Sequence, residues 1–525
     1  MFFTKKKCLE YVRYYWPNGN DKKRNFKNIR KLYDLFNDND TYGNIDEQTW
    51  SDLDMDSVFS KIDRTYSTIG EMSLYNLFKS PLYDEEKLKK RNDIIEEFRN
   101  NKSLRENIQT DYFKLSVDKN ASIIDLIKYK LEENKAKVWG YIFLGRILPI
   151  LIVLSSVFYG MGNLIYLIFL FFANSIISGR EKSKGAMAGV FYLGRIVKIA
   201  EKISKIEEPC LNEYKKEIKE TLKNCSEVTN KLKKILRIQT NGDDFNDFLG
   251  SWLVIFLTED IAYYKLAHVI NENKNEIKKL VKLTGEIEAL ISVSGYKDTL
   301  NYYTTPIFVK EKLINIEEGF HPLLKKPVSN SINIKNKGIV LTGTNMSGKS
   351  TFLRMMGVNI LLAQTFYFTL SKKYESEFVN LVSSISPEDN VAKGKSYYMA
   401  EAEALLRIIK ALDGELPVFC AIDEIFRGTN PVERIAASSE ILKYLEKRNC
   451  ISIVATHDRE LTSILRNSHD FYYFSEDVDD KEGLKFDYKI KYGVSKTRNA
   501  IKLLKFIGYP NEIINAAYEN IKMQE

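Results

Sequence analysis

The sequence predicts an α+α/β protein in which a long-helix core and lever region precedes a C-terminal P-loop α/β domain. Up to about residue 310 the chain consists mainly of charged, helix-compatible runs with few breakers. An almost uncharged segment at 138–178 interrupts them. After Pro306, short apolar runs alternate with helical ones, which is typical of an α/β domain. The predicted domains are residues 1–137, 138–178, 179–310 and 311–525.

The composition places few limits on function. Charged residues make up 28% of the 525 residues and hydrophobic ones 44%, which is the balance of an ordinary globular protein. The net charge of +8 is compatible with nucleic acid, with an anionic membrane surface or with simple solubility. The five cysteines form no C-x-x-C pair, and the four histidines do not cluster with them. We therefore expect a reducing compartment and no zinc site.

Aromatic and basic residues are interleaved near the start of the chain. Such interleaving can bind nucleic acid. The alternative is an amphipathic helix that packs its aromatic side chains inward and leaves a basic face in solvent, and we favour this alternative. The residues concerned are Tyr11, Tyr14, Tyr15, Trp16, Lys22, Lys23, Arg24, Lys27, Arg30 and Lys31.

Residues 138–178 contain one charge, Arg146, and Gly160–Asn163 divides them into two apolar halves. The second half, Met161–Ser178, would form a helix about 27 Å long, close to the thickness of a hydrocarbon core. Lysine and arginine residues flank the segment on both sides, which predicts a transmembrane hairpin with both ends in the cytoplasm. The alternative is a pair of buried core helices in a soluble protein.

The stretch Gly343–Ser350 has the pattern G-x-x-x-x-G-K-S, which wraps a polyphosphate. Its glycines allow positive φ, so backbone N–H groups can point at phosphate oxygens. Lys349 is predicted to reach the β- and γ-phosphates, and Ser350 to bind Mg²⁺. An apolar strand at 338–342 and a helical run from 352 to 364 flank the loop in the required order. The predicted nucleotide-binding residues are Gly343, Thr344, Asn345, Met346, Ser347, Gly348, Lys349, Ser350 and Thr351.

Two further apolar strands, at 418–422 and 451–456, end in an acidic pair and in a histidine. Because ligands of such folds bind at the carboxyl ends of parallel strands, we expect these side chains beside the phosphate loop. The acidic pair would hold Mg²⁺ and polarise the attacking water, unless it is an ordinary surface pair. The histidine is either a γ-phosphate contact or structural. The predicted sites are Asp423 with Ser350 for the metal, and Glu424, His457 and Lys349 for catalysis.

Together these motifs resemble the MutS mismatch-repair ATPase family, a branch of the ABC-type ATPases. Thr342–Thr351 is similar to its T-G-P-N-M-x-G-K-S-T loop, with Thr344 in place of proline, and Asp423–Asn430 resembles D-E-[IL]-G-R-G-T-S. Gly394–Glu401 resembles G-x-S-x-x-x-x-E, whose serine, here Ser396, reaches ATP across a dimer interface. Further similar segments are Ala455–His457, Gly319–Pro322, Tyr492–Ile501, Gly508–Ile514 and, more weakly, Ile62–Thr65.

The resemblance implies an ATPase that uses ATP and Mg²⁺, forms a homodimer through its nucleotide domains and moves helical arms. It does not extend to the family's mismatch-reading domain, which nothing in the sequence resembles, and the hairpin has no counterpart in the family norm. Two functions therefore stay open for a membrane-anchored ATPase of this kind. One is DNA binding in mismatch repair or other DNA metabolism, and the other is an ATP-driven switch that acts on a membrane partner without DNA. A soluble repair factor would require the hairpin to be buried core.

Overall fold

A computed structural model describes residues 4–19, 22–36, 43–116, 122–180, 183–240, 256–344, 346–385, 397–426, 430–479, 483–494 and 500–524. The chain forms two compact units. The first, the helical unit, consists of Met1–Asp38, Asp63–Asn76 and Asp93–Asp298. The second, the α/β unit, consists of Asn39–Ile62, Leu77–Asn92 and Thr299–Glu525.

Within the described residues, every element before Ile307 is a helix, as the sequence predicts. In chain order these helices are α1 (Lys5–Asn18), α2 (Phe26–Ile29), α3 (Lys31–Phe36), α4 (Glu47–Asp52), α5 (Met55–Ile62), α6 (Thr68–Lys79), α7 (Glu85–Asn100), α8 (Lys102–Leu115), α9 (Ser122–Lys128), α10 (Lys135–Ile142), α11 (Leu148–Tyr159), α12 (Ile165–Arg180), α13 (Ser183–Ile203), α14 (Asn212–Asn224), α15 (Ser226–Thr240), α16 (Thr258–Glu272) and α17 (Lys274–Lys297). A π-turn at Phe143–Ile147 and 3₁₀ turns at Met161–Leu164 and Pro209–Leu211 connect some of them.

The α/β unit contains two sheets. Its elements after residue 306 are β1 (Ile307–Phe308), β2 (Leu313–Gly319), β3 (Asn330–Lys335), β4 (Gly338–Thr342), α18 (Lys349–Phe366), β5 (Lys373–Ser376), β6 (Asn380–Ser384), α19 (Tyr397–Ala411), β7 (Val418–Asp423), α20 (Pro431–Glu446), β8 (Cys450–Thr456), α21 (Glu460–Ile464), β9 (His469–Asp479), β10 (Gly483–Tyr492), α22 (Ala500–Ile507) and α23 (Asn511–Gln524). The smaller sheet has the order β1-β5-β2-β3. The larger has the order β10-β9-β4-β8-β7-β6, and all its pairings except β10–β9 are parallel.

The region predicted as residues 1–137 is shared between the two units, because residues 39–62 and 77–92 fold with the α/β unit. The Asp52 carboxylate, at the end of α4, accepts hydrogen bonds from the Ser383 hydroxyl at 2.7 Å and the Ile385 N–H at 3.0 Å. Leu53 packs so closely on α18 that a methyl group added at Gly357 would lie 2.5 Å from its side chain. These contacts join residues that are more than 300 positions apart in the chain, so no local pattern predicts them.

The helical run predicted at 179–310 is divided into shorter helices that pack together. Pro209 lacks an N–H group and begins a 3₁₀ turn, which separates α13 from α14. The longest helix, α17, is buried over most of its length, from Ile277 to Lys297. Helix α17 is therefore part of the core of the helical unit and is not a solvated lever.

Two of the basic residues near the start of the chain are not on the expected solvated face, although Lys23 and Lys27 are exposed. Lys22 and Arg24 reach the buried carboxylate of Asp63, with N–O distances of 3.3 and 2.8 Å, and Lys22 also contacts Glu71 at 2.7 Å. Burial alone would raise the pKa of Asp63, but the two cations and hydrogen bonds from Thr65 hold it below its ordinary value. These charges are thus a structural network inside the helical unit.

A buried carboxylate caps α6 from a distant part of the chain. Glu288 on α17 accepts hydrogen bonds from the N–H groups of Tyr66, at 2.6 Å, and Ser67, at 3.1 Å, and from the Ser67 hydroxyl. The site has no spare room, because a methyl group added at Gly70 would collide with the carboxylate. Burial raises the pKa of Glu288 to about 7, although the hydrogen bonds oppose this shift.

We expect Glu288 to make unfolding of the helical unit depend on pH. A carboxyl group whose folded pKa exceeds its unfolded value loses stabilising free energy as the pH rises between the two values. For Glu288 that window runs from 4.5 to about 7, and the loss is on the order of 3 kcal/mol. Glu288→Gln should remove this part of the pH dependence. Urea unfolding at both ends of the window measures it, and an unchanged dependence in the variant contradicts the assignment. Glu276→Gln, on the same helix, is the matched control.

The apolar segment forms two helices with exposed faces. Lys135–Tyr159 and Met161–Ser178 are long and apolar enough to cross a membrane, and 17% of the apolar window of each is buried. Helices in the core of a soluble unit would be mostly covered. The low burial disfavours the core alternative, while insertion in a membrane stays a prediction.

Candidate functional site

The larger sheet brings the predicted site residues to one edge. β4 lies between β8 and β9, and β7 pairs with the other side of β8, all in parallel. Thr342 at the end of β4 is opposite Thr456, and Asp423 at the end of β7 is opposite Ala455. The three strands therefore end level with one another. The segments that follow them carry the glycine-rich loop, the acidic pair and the histidine.

The loop adopts backbone conformations that depend on its glycines. Gly343 and Gly348 have φ values of 150° and 109°, which disfavour residues with a Cβ. Met346 also has a positive φ, 67°, and its side chain is 82% exposed. The buried Ser347 hydroxyl has no hydrogen-bond partner within the described residues. A strained loop with a buried polar atom to satisfy fits the binding of an anion.

The side chain of Lys349 is directed back over the loop. It is 5% exposed, and its Nζ donates hydrogen bonds to the carbonyl oxygens of Gly343, at 2.9 Å, and Thr344, at 2.8 Å. An ammonium group held there lies in the concavity of the loop. It is thus in position to meet the phosphates of a nucleotide.

The other predicted residues form one connected cluster with Lys349. The Ser350 hydroxyl donates a hydrogen bond to the Asp423 carboxylate, so two oxygen ligands of the kind that Mg²⁺ prefers lie side by side. Glu424 has a φ of 66° and its Oε1 lies 2.9 Å from His457 Nε2. That ring nitrogen is 3.5 Å from Lys349 Nζ. The residues fit a nucleotide with its magnesium ion.

A cleft of about 610 Å³ extends from the loop. Its walls include residues that the sequence reasoning did not assign to the site: Phe320, His321, Val328, Asn330 and Tyr488. Burial lowers the pKa of His321 to about 4, so this histidine is neutral near pH 7. The similarity of Gly319–Pro322 to a family motif could have indicated that Phe320 and His321 belong to the site. No sequence pattern indicated Tyr488, because it is one aromatic residue in an ordinary strand pattern.

Thr344, which replaces the proline of the related loop, has a contact that proline cannot make. Its hydroxyl donates a hydrogen bond to the carboxylate of Glu476 on β9. Glu476 is 8% exposed, so the bond ties the loop to the neighbouring strand in a mostly dry environment.

Two predicted residues lie outside the described residues, namely Asn345 and Ser396. Helix α19 begins at Tyr397, directly after Ser396. Thr351 is described and lines the cleft beside Ser350.

Comparisons with known proteins give a consistent family assignment. The family model "MutS domain III" matches residues 39–294, and "MutS domain V" matches residues 339–525. The chain is similar to proteins named DNA mismatch repair protein MutS from three bacteria. Identity is 32% over 254 residues for Persephonella marina, 30% over 272 residues for Thermotoga petrophila and 28% over 277 residues for Clostridium botulinum.

The similarity to these relatives is partial. The aligned segments cover 47%, 50% and 50% of this chain, and 29%, 34% and 29% of the respective relatives. The chain thus matches about a third of their length, while the two domain models match most of the chain itself. On this basis the chain belongs to the MutS family.

Proposed function

We propose that the chain binds ATP with Mg²⁺ at the cleft beside Gly343–Ser350 and hydrolyses it to ADP and phosphate. One observation carries this proposal: five predicted residues from three strand ends lie within one connected cluster. They are Lys349, Ser350, Asp423, Glu424 and His457. A glycine-rich loop with a lysine, a serine–aspartate pair and a glutamate–histidine pair at one sheet edge are the groups that ATP hydrolysis with Mg²⁺ would require.

Each residue of the cluster has a role that follows from its position. Lys349 would neutralise the charge that develops on the transferred phosphoryl group. Ser350 and Asp423 would hold the magnesium ion, which would add further positive charge beside the phosphates. Glu424 would accept a hydrogen bond from the attacking water. His457 lies 2.9 Å from the Glu424 carboxylate, so it would orient that carboxylate and contact the γ-phosphate.

The cleft offers a place for the base of the nucleotide. The Tyr488 ring lies 3.4 Å from the Cβ position of Gly348, and Tyr488 lines the cleft and is 45% exposed. Asn330 fixes the backbone there, since its side chain donates to the Tyr488 carbonyl at 3.0 Å and accepts from the Ile490 N–H at 2.8 Å. A fixed aromatic face beside the phosphate loop suits stacking of a purine.

We further propose that two copies bind ATP between them, with Ser396 of one reaching the nucleotide of the other. This proposal is supported by the Gly394–Glu401 similarity and by the family membership. ATP binding would then close the dimer, and hydrolysis would release it.

DNA is the partner that the relatives' names support most directly, and the function would be related to mismatch repair. Salt-dependent binding of a labelled duplex, measured by fluorescence anisotropy with and without ATP, tests this step. We expect affinity to fall with rising salt and to change with ATP in the wild type. In Lys349→Ala the salt dependence should persist and the ATP effect should vanish.

The exposed apolar helices favour a second candidate, an ATP-driven switch anchored in a membrane that acts on a protein partner. The ATPase part would then lie in the cytoplasm. Absence of duplex binding even at low salt, together with retained ATP turnover, would select this candidate over the first.

A further inference from the structure

The hairpin formed by α11 and α12 has a fixed base in the helical unit. A methyl group added at Gly145, in the π-turn, would lie 2.3 Å from the Phe256 carbonyl oxygen, so the two backbones are in direct contact. Nearer the start of the helix, Lys137 Nζ donates to the Tyr264 hydroxyl at 2.8 Å, and the Tyr141 and Tyr264 rings are 5.9 Å apart. The chain is therefore held against α16 up to Gly145.

This packing limits how deep the hairpin can enter a bilayer. The first turn of α16 carries Glu259, which is exposed, only a few residues after Phe256. Moving the membrane surface past Gly145 toward the base would bring this acidic group toward hydrocarbon, which is costly. Arg146 limits the depth at the same level, because its charge would also be costly in hydrocarbon. It is the one charged residue between Val138 and Ser178 and follows Gly145 directly.

The part beyond this level is too short to cross a membrane. From Arg146 to Gly160 a helix rises about 21 Å, whereas a bilayer's hydrocarbon core is about 30 Å thick. The turn would then lie past the midplane but short of the opposite headgroups.

The composition and bonding of the turn agree with an apolar surrounding. Val157, Phe158, Tyr159 and Met161 are each at least 75% exposed, and no charge occurs from Ile147 to Ser178. In water, a turn with these side chains would leave a large apolar surface exposed to solvent, which is unfavourable.

Several polar groups of the hairpin form hydrogen bonds within it. Asn163 Nδ2 donates to the Ser155 hydroxyl at 3.2 Å, and the Gly160 N–H donates to the Ser156 carbonyl at 3.0 Å. At the base, Asn174 is fully buried and its Nδ2 lies 3.4 Å from the Leu144 carbonyl oxygen in the π-turn. Each such bond removes a polar group from those that would otherwise meet hydrocarbon, where no water is available to pair with it.

We propose that the hairpin enters a lipid bilayer from one face and ends inside it, so that Gly160–Asn163 lies in the hydrocarbon. This inference rests on the proposed membrane anchoring and replaces a transmembrane hairpin by a re-entrant one. The acyl chains of the bilayer would contact the exposed apolar side chains of the hairpin. The basic residues that precede the segment, from Lys128 to Lys137, would meet anionic headgroups on the entry side.

Single-cysteine labels in the full chain test the depth. Cys210→Ser provides the background, because the other four native cysteines are buried. Trp139→Cys at the base, Ile150→Cys in the middle and Met161→Cys at the turn replace exposed side chains. Each variant carries a nitrobenzoxadiazole maleimide and is reconstituted in vesicles of phosphatidylcholine and phosphatidylglycerol. Nitroxides placed near the headgroup or near the acyl-chain end should show label depth increasing from residue 139 through 150 to 161.

Accessibility to dithionite gives an independent readout. The vesicles are opened with a pore-forming peptide, so that both aqueous faces are reached whatever the orientation of the protein. We expect rapid reduction of the label at 139 and loss of reduction at 161 until detergent is added. Reduction at 161 as fast as at 139, or a label at 150 deeper than that at 161, overturns the re-entrant arrangement.

Flotation on a density gradient separates this inference from the proposal on which it rests. If the chain floats with the vesicles and the turn is accessible, the hairpin crosses the bilayer and only the depth is wrong. If the chain does not float, the membrane anchoring itself fails, and the apolar surface belongs to a protein contact.

Discussion

Lys349→Ala should abolish nucleotide binding or lower ATP turnover by at least about 10²-fold, the scale expected for removing one preorganised charge stabiliser. In the wild type the ammonium group is held over the loop by two carbonyl oxygens of Gly343 and Thr344. Alanine leaves the concavity without its positive charge, and the phosphates would lose their closest cation. Phosphate release and equilibrium binding of a fluorescent ATP analogue measure the two effects separately.

The matched control is Lys337→Ala. Lys337 lies in the turn between β3 and β4, and its side chain is half exposed beside Asp470. The Lys337→Ala variant loses the same charge from the same unit without a change in the cleft. Its ATP turnover should therefore equal that of the wild type. If Lys349→Ala keeps normal turnover while circular dichroism shows an intact fold, the proposed site is wrong.

Glu424→Ala should bind ATP and hydrolyse it about 10²–10³-fold more slowly. The carboxylate lies beside His457 at the end of β7, and its loss leaves the attacking water without a polarising group. Because φ at this position is 66°, Glu424→Gln should be made as well. It keeps the shape of the side chain and separates loss of the carboxylate from any disturbance of the backbone.

Glu433→Gln, on the exposed first turn of α20, is the control for a change of the same kind outside the cluster. The informative comparison is between affinity and turnover. Weakened binding with an unchanged rate per bound nucleotide would place Glu424 in binding, and normal turnover would remove it from the mechanism.

Much of the site could be predicted because its signals are local. A strand, a glycine-rich loop and a helix follow one another within about thirty residues, and the structure has β4 and α18 at 338–342 and 349–366. The acidic pair and the histidine could be assigned for a related reason. Parallel strands of one sheet end at one edge, so a residue's place at a strand end largely determines where it lies.

The parts that could not be predicted depend on contacts between distant residues. Glu288 caps a helix that begins more than 200 residues earlier, and Asp52 bonds to the edge of a sheet more than 300 residues later. Lys22 looked like a solvated charge but is paired with Asp63 inside the helical unit. In each case the sequence contains the charge but not the identity of its partner.

The hairpin shows how composition and packing give different kinds of information. The uncharged stretch indicated two membrane-length helices, and two such helices are present. Composition alone could not tell that Gly145 is fixed against Phe256, which shortens the free part to about 21 Å. The proposed depth of the hairpin in a bilayer therefore rests on the fold and not on the length of the apolar run.

Equilibrium binding of ATP and Mg²⁺ to the purified wild-type chain, measured by calorimetry beside AMP, tests the central claim most directly. A loop that holds the β- and γ-phosphates through Lys349 and a magnesium ion through Ser350 and Asp423 should bind ATP saturably, should bind it less tightly when Mg²⁺ is chelated, and should bind AMP far more weakly. Equal affinity for AMP and ATP, or no heat of binding for ATP in the wild type, would contradict the account.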